Sequence, residues 1–152
     1  MLTAMRLWWA TVLAGCAEPY HPGSLVGENH TYGCIDLSVR SAWPTEAEGP
    51  VIEIDLGNRC DHSVLIDLRQ LRVAGIDRFG ERVALIPYDP DHEIVAARIY
   101  ANGRGWEHIE YHVPETTAIG ELERLEVDLG HIVTRDDREE WLPLALPTRG
   151  SS

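Results

Sequence analysis

Apolar and polar residues alternate strictly in four separate segments of this chain, and this pattern limits the fold more than any other sequence feature. The segments cover residues 35–39, 52–56, 109–113 and 125–129. Successive side chains of a β-strand point to opposite faces of a sheet, so a period of two predicts strands with one buried and one solvated face. Such half-buried strands are typical of antiparallel sheets.

The alternation slips in residues 64–73. Ile66 and Leu68 share one phase, whereas Leu71 and Val73 share the opposite phase. Either a bulge near Arg69 restores the facing, or the chain passes from one sheet to another at this point.

Turn-forming residues separate these segments from two shorter apolar pieces at 83–86 and 94–100. About seven short antiparallel strands within residues 34–146 predict an all-β fold, an immunoglobulin-like β-sandwich, with a small β-barrel as the alternative. Residues 147–152 are predicted to be a disordered tail.

The C-terminal part carries the helical signal of this sequence. Residues 134–137 resemble a capping box that opens one turn through Glu140. Residues 141–147 are expected to pack on the domain or to add an edge strand, because Pro143 and Pro147 exclude a central strand.

The N-terminus combines one positive charge, a short apolar run and a cysteine. Arg6 precedes the run, which starts at Leu7 and ends in Leu13-Ala14-Gly15-Cys16. The run is far too short to span a bilayer, and it resembles the signal peptide and lipobox of bacterial lipoproteins. The resemblance implies that residues 1–15 are cleaved and that the Cys16 thiol receives a diacylglycerol. The alternative, a buried first element with an ordinary cysteine, lacks alternation and caps.

Residues 16–33 are predicted to be the lipidated N-terminus and a linker. Two prolines, two glycines and no periodicity lie within residues 17–31, which is typical of a tether that holds a domain away from a membrane.

Four successions of residues resemble the immunoglobulin-like accessory domains of bacterial lipoproteins: Val51–Asn58, Val64–Leu68, Asp77–Gly80 and Tyr111–Pro114. In that pattern a strand ending in Asn leads to a second strand, then to a turn, and then to a late strand closing in Val-Pro. The resemblance covers residues 34–130. It implies a sandwich and no catalytic residue.

The expected mature chain is strongly acidic. All 25 carboxylates and all but one of the 13 cationic side chains, every one an arginine, follow residue 15. Such a charge repels nucleic acid, so DNA and RNA are excluded as partners. The absence of lysine excludes Schiff-base chemistry and a P-loop lysine.

Two cysteines remain once Cys16 is assigned to lipid. An even pair in an oxidising compartment predicts a disulfide between Cys34 and Cys60. The alternative is two free thiols or a two-ligand metal site, but the 25 intervening residues match no zinc spacing. Pairing residue 34 directly opposite residue 60 would mix buried and solvated faces. A bulge near Gly57, or cysteines just beyond the paired region, would remove that conflict.

His108, Glu110 and His112 are the candidate metal ligands of this sequence. Period two puts all three on one face of a strand, about 7 Å apart, and a fourth group from another histidine would complete a zinc site. The alternative is a solvated strand face, because the intervening Ile109 and Tyr111 are expected to face the core. We favour that alternative and expect no stoichiometric zinc.

No catalytic motif is present. No serine lies in Gly-x-Ser-x-Gly, no phosphate-binding glycine motif occurs, and the acidic residues 89–93 lack the remaining ligands of a calcium loop. We therefore expect no enzymatic activity and no cofactor.

Two function classes remain. The first is a lipid-anchored envelope protein whose sandwich binds a protein or envelope component, and the alternative is a periplasmic metal-binding protein that uses strand histidines. The membrane is an expected partner through the lipid on Cys16. Ala17 after the cysteine favours the outer membrane over the inner one.

Replacing Cys16 by Ser is expected to release the protein from membranes and to leave the signal uncleaved, because two acyl chains anchor stably whereas none can attach to serine. Membrane fractionation with mass spectrometry of the N-terminus measures both effects. A Cys16→Ser variant that stays membrane-bound would contradict the lipobox interpretation.

Overall fold

The computed structural model describes residues 19–44, 49–89, 91, 94, 96–114, 122–130, 132 and 144–147. Eleven strands lie in these ranges: β1 Asn29–Tyr32, β2 Ile35–Ala42, β3 Val51–Asn58, β4 Val64–Asp67, β5 Arg72–Asp77, β6 Arg82–Ala84, β7 Ile86–Pro87, β8 Ala96–Ile99, β9 Arg104–His112, β10 Leu122–Asp128 and β11 Leu144–Pro147. A short 3₁₀ turn, Leu68–Gln70, joins β4 to β5. No helix among the described residues has the length and apolarity that a membrane crossing needs.

The strands form three antiparallel sheets around one core. The largest sheet has the order β1-β2-β3-β9-β7, the second β11-β10-β5-β6, and β4 pairs with β8. Inward residues of all three sheets join in one apolar cluster, in which Leu37, Ile54 and Leu125 have no exposed surface. The described sheets stay open, so the predicted antiparallel β-sandwich is confirmed and the small barrel is not observed.

Eleven strands are described and not the seven expected, because two predicted segments divide and because β1 and β11 lie outside those segments. The predicted segment 64–73 divides into β4 and β5, and the predicted segment 83–86 divides between β6 and β7, each of which extends one residue beyond it. At the first division β4 pairs with β8, whereas β5 pairs with β10 and β6. The slip in alternation therefore marks a change of sheet and not a bulge.

The C-terminal edge strand is also present. Strand β11 pairs with β10, with Leu146 opposite Leu125, and it forms the edge of its sheet in the described region. The first residue of the predicted tail 147–152, Pro147, ends β11, whereas the rest of that tail and the predicted helical turn at 134–140 lie outside the described residues.

The expected linker at 16–33 is wrong for the described part of that range. Residues 29–32 form β1, and residues 19–27, here called the N-terminal strap, pack on the outer face of the largest sheet. Tyr20 and Leu25 of the strap are both buried. Glycine in this range serves a turn and not a free tether. Gly27 adopts a positive φ of 99° where the chain passes next to Arg40.

The strap buries the face of β2 that alternation predicts to be solvated. The Tyr20 hydroxyl donates to the Asp36 carboxylate at 2.6 Å, and the Ser38 hydroxyl donates to the Val26 carbonyl oxygen at 2.6 Å. A Cβ at Gly57 would come within 2.1 Å of the Tyr20 ring. Glycine at position 57 is therefore needed for the strap to lie this close.

Buried Asp36 is held as a carboxylate by three donors. Besides Tyr20, the Thr31 hydroxyl donates to it at 2.9 Å and Arg59 Nε donates at 3.0 Å. Burial alone would raise the pKa of Asp36, but these hydrogen bonds and the Arg59 charge outweigh it and lower the pKa below its ordinary value. Burial and the bond to Asp36 raise the pKa of Tyr20 to about 12.

Cys34 and Cys60 form the predicted disulfide, with their Cα atoms 5.1 Å apart. The register of β2 and β3 sets Leu37 opposite Leu56, so buried residues face buried residues. The Arg59 N–H donates to the Cys34 carbonyl oxygen at 2.8 Å. The bridge thus joins positions just beyond the paired residues of β2 and β3. Buried residues can therefore pair with buried residues along both strands, and no bulge is needed.

Removing the disulfide is expected to lower the free energy of unfolding by about 3–4 kcal/mol, because the bridge restricts the unfolded chain. Urea unfolding of a Cys34→Ser/Cys60→Ser variant measures this loss. Reductant should lower the free energy of unfolding of the wild type to nearly that of the variant, and it should leave the value for the variant unchanged. Equal stability of the two oxidised proteins would contradict the expectation.

Acid is expected to abolish part of the stability that Tyr20 supplies. The folded-state pKa of Asp36 lies below the unfolded value of about 3.9. The ionised carboxylate therefore adds to the free energy of unfolding above about pH 3.9, and this stabilisation is lost as the pH falls through the folded-state pKa. A Tyr20→Phe variant should therefore lose about 1.5–3 kcal/mol at pH 7 and less near pH 2.5.

Urea unfolding of the wild type and the variant across this pH range measures the difference. Tyr100→Phe is the matched control, since Tyr100 is 70% exposed. A Tyr20→Phe loss that stays constant from pH 7 to 2.5 would show that Asp36 is not the coupled group.

Candidate binding groove beside strand β9

One edge of β9 bonds along its length to β3. The Tyr111 N–H donates to the Pro50 carbonyl oxygen at 2.9 Å, and the Asn58 N–H donates to the Gly103 carbonyl oxygen at 2.9 Å. These two bonds fix the register, so the backbone groups of Gly105, Glu107 and Ile109 also point toward β3.

The even-numbered residues of β9 direct their backbone groups to the opposite edge. There β7 pairs with Tyr111 and His112, and the Tyr88 N–H donates to the Glu110 carbonyl oxygen at 2.8 Å. Within the described ranges no strand pairs with Trp106 or His108 on this side. These residues form the open edge of β9.

A groove of about 360 Å³ lies beside the open edge. It reaches from β9 to β8 and the 3₁₀ turn, and apolar groups form part of its wall, with Leu68 and Ile109 themselves buried. The groove is lined by Val51, Leu68, Tyr88, Asp89, Asp91, Ile94, Ala97, Glu107, His108, Ile109 and Glu110.

The charge of this groove is negative. Four carboxylates line it, from Asp89, Asp91, Glu107 and Glu110, and none of the described lining residues is an arginine. Asp89 also accepts a hydrogen bond from the Ile94 N–H at 3.3 Å. A cationic ligand would therefore be attracted to this groove.

Two exposed aromatic side chains flank the open edge. Trp106 and Tyr88 are each 52% exposed. The Trp106 ring lies 5.2 Å from the His108 ring, and the Tyr88 ring stacks on His112 at 4.7 Å. Exposed aromatic residues next to an apolar groove are typical of interaction surfaces.

The candidate metal ligands lie where the sequence predicts them, on one face of β9. His108 is exposed, whereas Glu110 and His112 are half-buried. Each imidazole contacts an aromatic ring. Among the described residues, no three His, Cys, Asp or Glu side chains are grouped so that they could hold a metal ion.

His62, His92 and His131 are the histidines that the sequence offers as a fourth ligand, and of these only His62 lies among the described residues. His62 pairs with Asp61 at 2.8 Å, and His92 and His131 lie outside the described residues, as does Cys16. No zinc geometry can thus be built from the described part of the chain.

Sequence reasoning missed the residues that make the groove. The acidic segment at 89–93 was weighed as a calcium loop and set aside, and neither Tyr88 nor Trp106 belonged to a motif. Tyr88 reaches β9 through the β7–β9 pairing, which joins parts of the chain about 25 residues apart, whereas Trp106 lies on β9 itself. A clue in the sequence was the density of carboxylates near residues 89 and 107.

Comparison with known proteins identifies a similar fold. No family model and no curated protein matches this sequence. The crystal structure of the YjhA protein from Bacillus subtilis is similar, with a TM-score of 0.53 and 12% sequence identity. The match covers 81% of this chain and 97% of that chain. The likeness concerns the fold alone.

Proposed function

We propose that this protein is a non-catalytic binding module of the bacterial cell envelope, anchored by lipid on Cys16. Its sandwich holds an extended, positively charged segment of a partner protein along the open edge of β9. The observation that carries the proposal is an acidic, partly apolar groove beside the strand edge at Trp106 and His108, which no strand of the described residues pairs with.

Strand addition explains why this edge suits a protein partner. A peptide that lies beside β9 would accept from the His108 N–H and donate to its carbonyl oxygen, as the Tyr88 N–H already does to Glu110. Alternate side chains of the peptide would point toward the groove. Apolar side chains would contact Ile109 and Leu68, and cationic ones would meet Glu107 and Asp91.

The location of the protein rests on two sequence features and one structural one. The Leu-Ala-Gly-Cys run supports export and lipidation, and Ala17 supports the outer membrane. The Cys34–Cys60 bridge fits an oxidising compartment. The acidic surface keeps such a domain soluble beside anionic lipids and attracts a basic partner.

A labelled decapeptide of alternating valine and arginine is expected to bind the domain with a Kd in the micromolar range. Replacing its arginines by glutamates should abolish binding, because the groove is acidic. N-methylation of alternate peptide bonds should also abolish it, because strand addition needs those N–H groups. Fluorescence anisotropy measures all three peptides.

Two substitutions at one position separate the backbone from the side chain. His108→Ala and His108→Pro both remove the imidazole, but the proline alone removes the N–H on the open edge, where proline is tolerated in strands. We expect His108→Pro to weaken binding about tenfold relative to His108→Ala, the effect of one lost hydrogen bond. Equal affinities for the two variants would exclude strand addition at β9.

A further inference from the structure

The N-terminal strap begins at one identifiable end of the sandwich. The Tyr20 N–H donates to the Asn102 carbonyl oxygen at 2.6 Å, which fixes the start of the strap to the turn between β8 and β9. The Tyr20 side chain is fixed as well, through Asp36 and Gly57. Residue 19 therefore leaves the domain next to residues 100–103, here called the anchor turn.

The chain that remains between lipid and domain is short. Three Cα–Cα steps separate Cys16 from Pro19, and they span at most about 11 Å when fully extended. A free linker through residue 33 would have allowed the domain to reorient. With the strap fixed at Tyr20, the anchor turn must stay within that distance of the acylated cysteine.

The anchor turn is rigid and carries a suitable aromatic residue. The buried Asn58 amide donates to the carbonyl oxygens of Ile99 and Tyr100, both at 3.1 Å, and to that of His62 at 2.9 Å. Tyr100 itself is 70% exposed. A tyrosine with an apolar ring and a polar hydroxyl suits the interface between lipid headgroups and acyl chains.

The groove lies toward the opposite end of the same sheet. Strand β9 starts at Arg104, next to the anchor turn, and ends at His112, where β7 pairs with it. At about 3.3 Å per residue, Glu110 lies roughly 20 Å along the strand from Arg104. The exposed Ile86 of β7, opposite His112, marks this distal end.

We propose that the sandwich stands on the membrane in one orientation, with the anchor turn and Tyr100 in the headgroup layer and the β9 groove directed away from the lipid. This inference rests on the lipid anchor of the proposed function, but not on the identity of the groove's ligand. The occupant of the anchor-turn surface is the bilayer that holds the acyl chains.

Site-specific fluorescence tests the orientation in the full acylated chain, reconstituted into phosphatidylcholine vesicles. With Cys16 acylated and Cys34 bonded to Cys60, a cysteine placed at Tyr100 or Ile86 is the free thiol that a nitrobenzoxadiazole probe labels. These two positions are a matched pair, 70% and 60% exposed. A headgroup spin-labelled lipid then quenches whichever probe lies at the membrane.

We expect strong quenching at Tyr100→Cys and none beyond the level of free solution at Ile86→Cys. A Tyr20→Ala substitution should reduce the quenching at position 100 at least twofold while circular dichroism stays unchanged, because the released strap lengthens the tether. This readout separates fixed orientation from mere proximity to vesicles.

Each other outcome overturns the inference and identifies which part failed. A chain that does not associate with vesicles, like a Cys16→Ser control, refutes the anchor and with it the orientation. A bound chain that is quenched equally at both positions, or more at Ile86→Cys, refutes the orientation alone. Neither result affects peptide binding at β9, which is measured on the soluble domain.

Discussion

The buried carboxylate of Asp36 is the group on which the N-terminal half of the structure depends. Tyr20, Thr31 and Arg59 donate to it from the strap, from β1 and from the residue beside Cys60, respectively. A buried charge without these donors would be costly, so each donor that stays in place stabilises the fold. This network turns an apparent linker into part of the domain.

Asn58 has the same role at the end of β3. Its side chain accepts from the Cys60 N–H at 2.8 Å and donates to carbonyl oxygens in the loop after β3 and at the end of β8. Together with the disulfide, it fixes the end of the sandwich where the strap begins. A rigid end next to the chain's exit gives the domain a defined direction relative to any N-terminal anchor.

The opposite end has the features of a binding surface. There the two-residue strand β7 pairs only with the last two residues of β9, Tyr111 and His112. Trp106 and His108 therefore lie at the edge of the described sheet. Exposed sheet edges are usually blocked by charge, proline or a bulge, because they add strands readily. Here acidic residues line the groove next to that edge, and under the proposed function they would favour a cationic strand over a second copy of this acidic chain.

The sequence by itself determined the positions and core-facing residues of the four alternating strands β2, β3, β9 and β10, the disulfide partners, and the shared face of His108, Glu110 and His112. These properties follow from period-two geometry and residue chemistry, which are local. Only the tertiary structure decided that the polar face of β2 is buried, because alternation identifies a polar face but not the segment that covers it. The groove depended on the tertiary structure for the same reason. Its walls come from strands distant in sequence, and their proximity is set by long-range hydrogen bonding that no local pattern encodes.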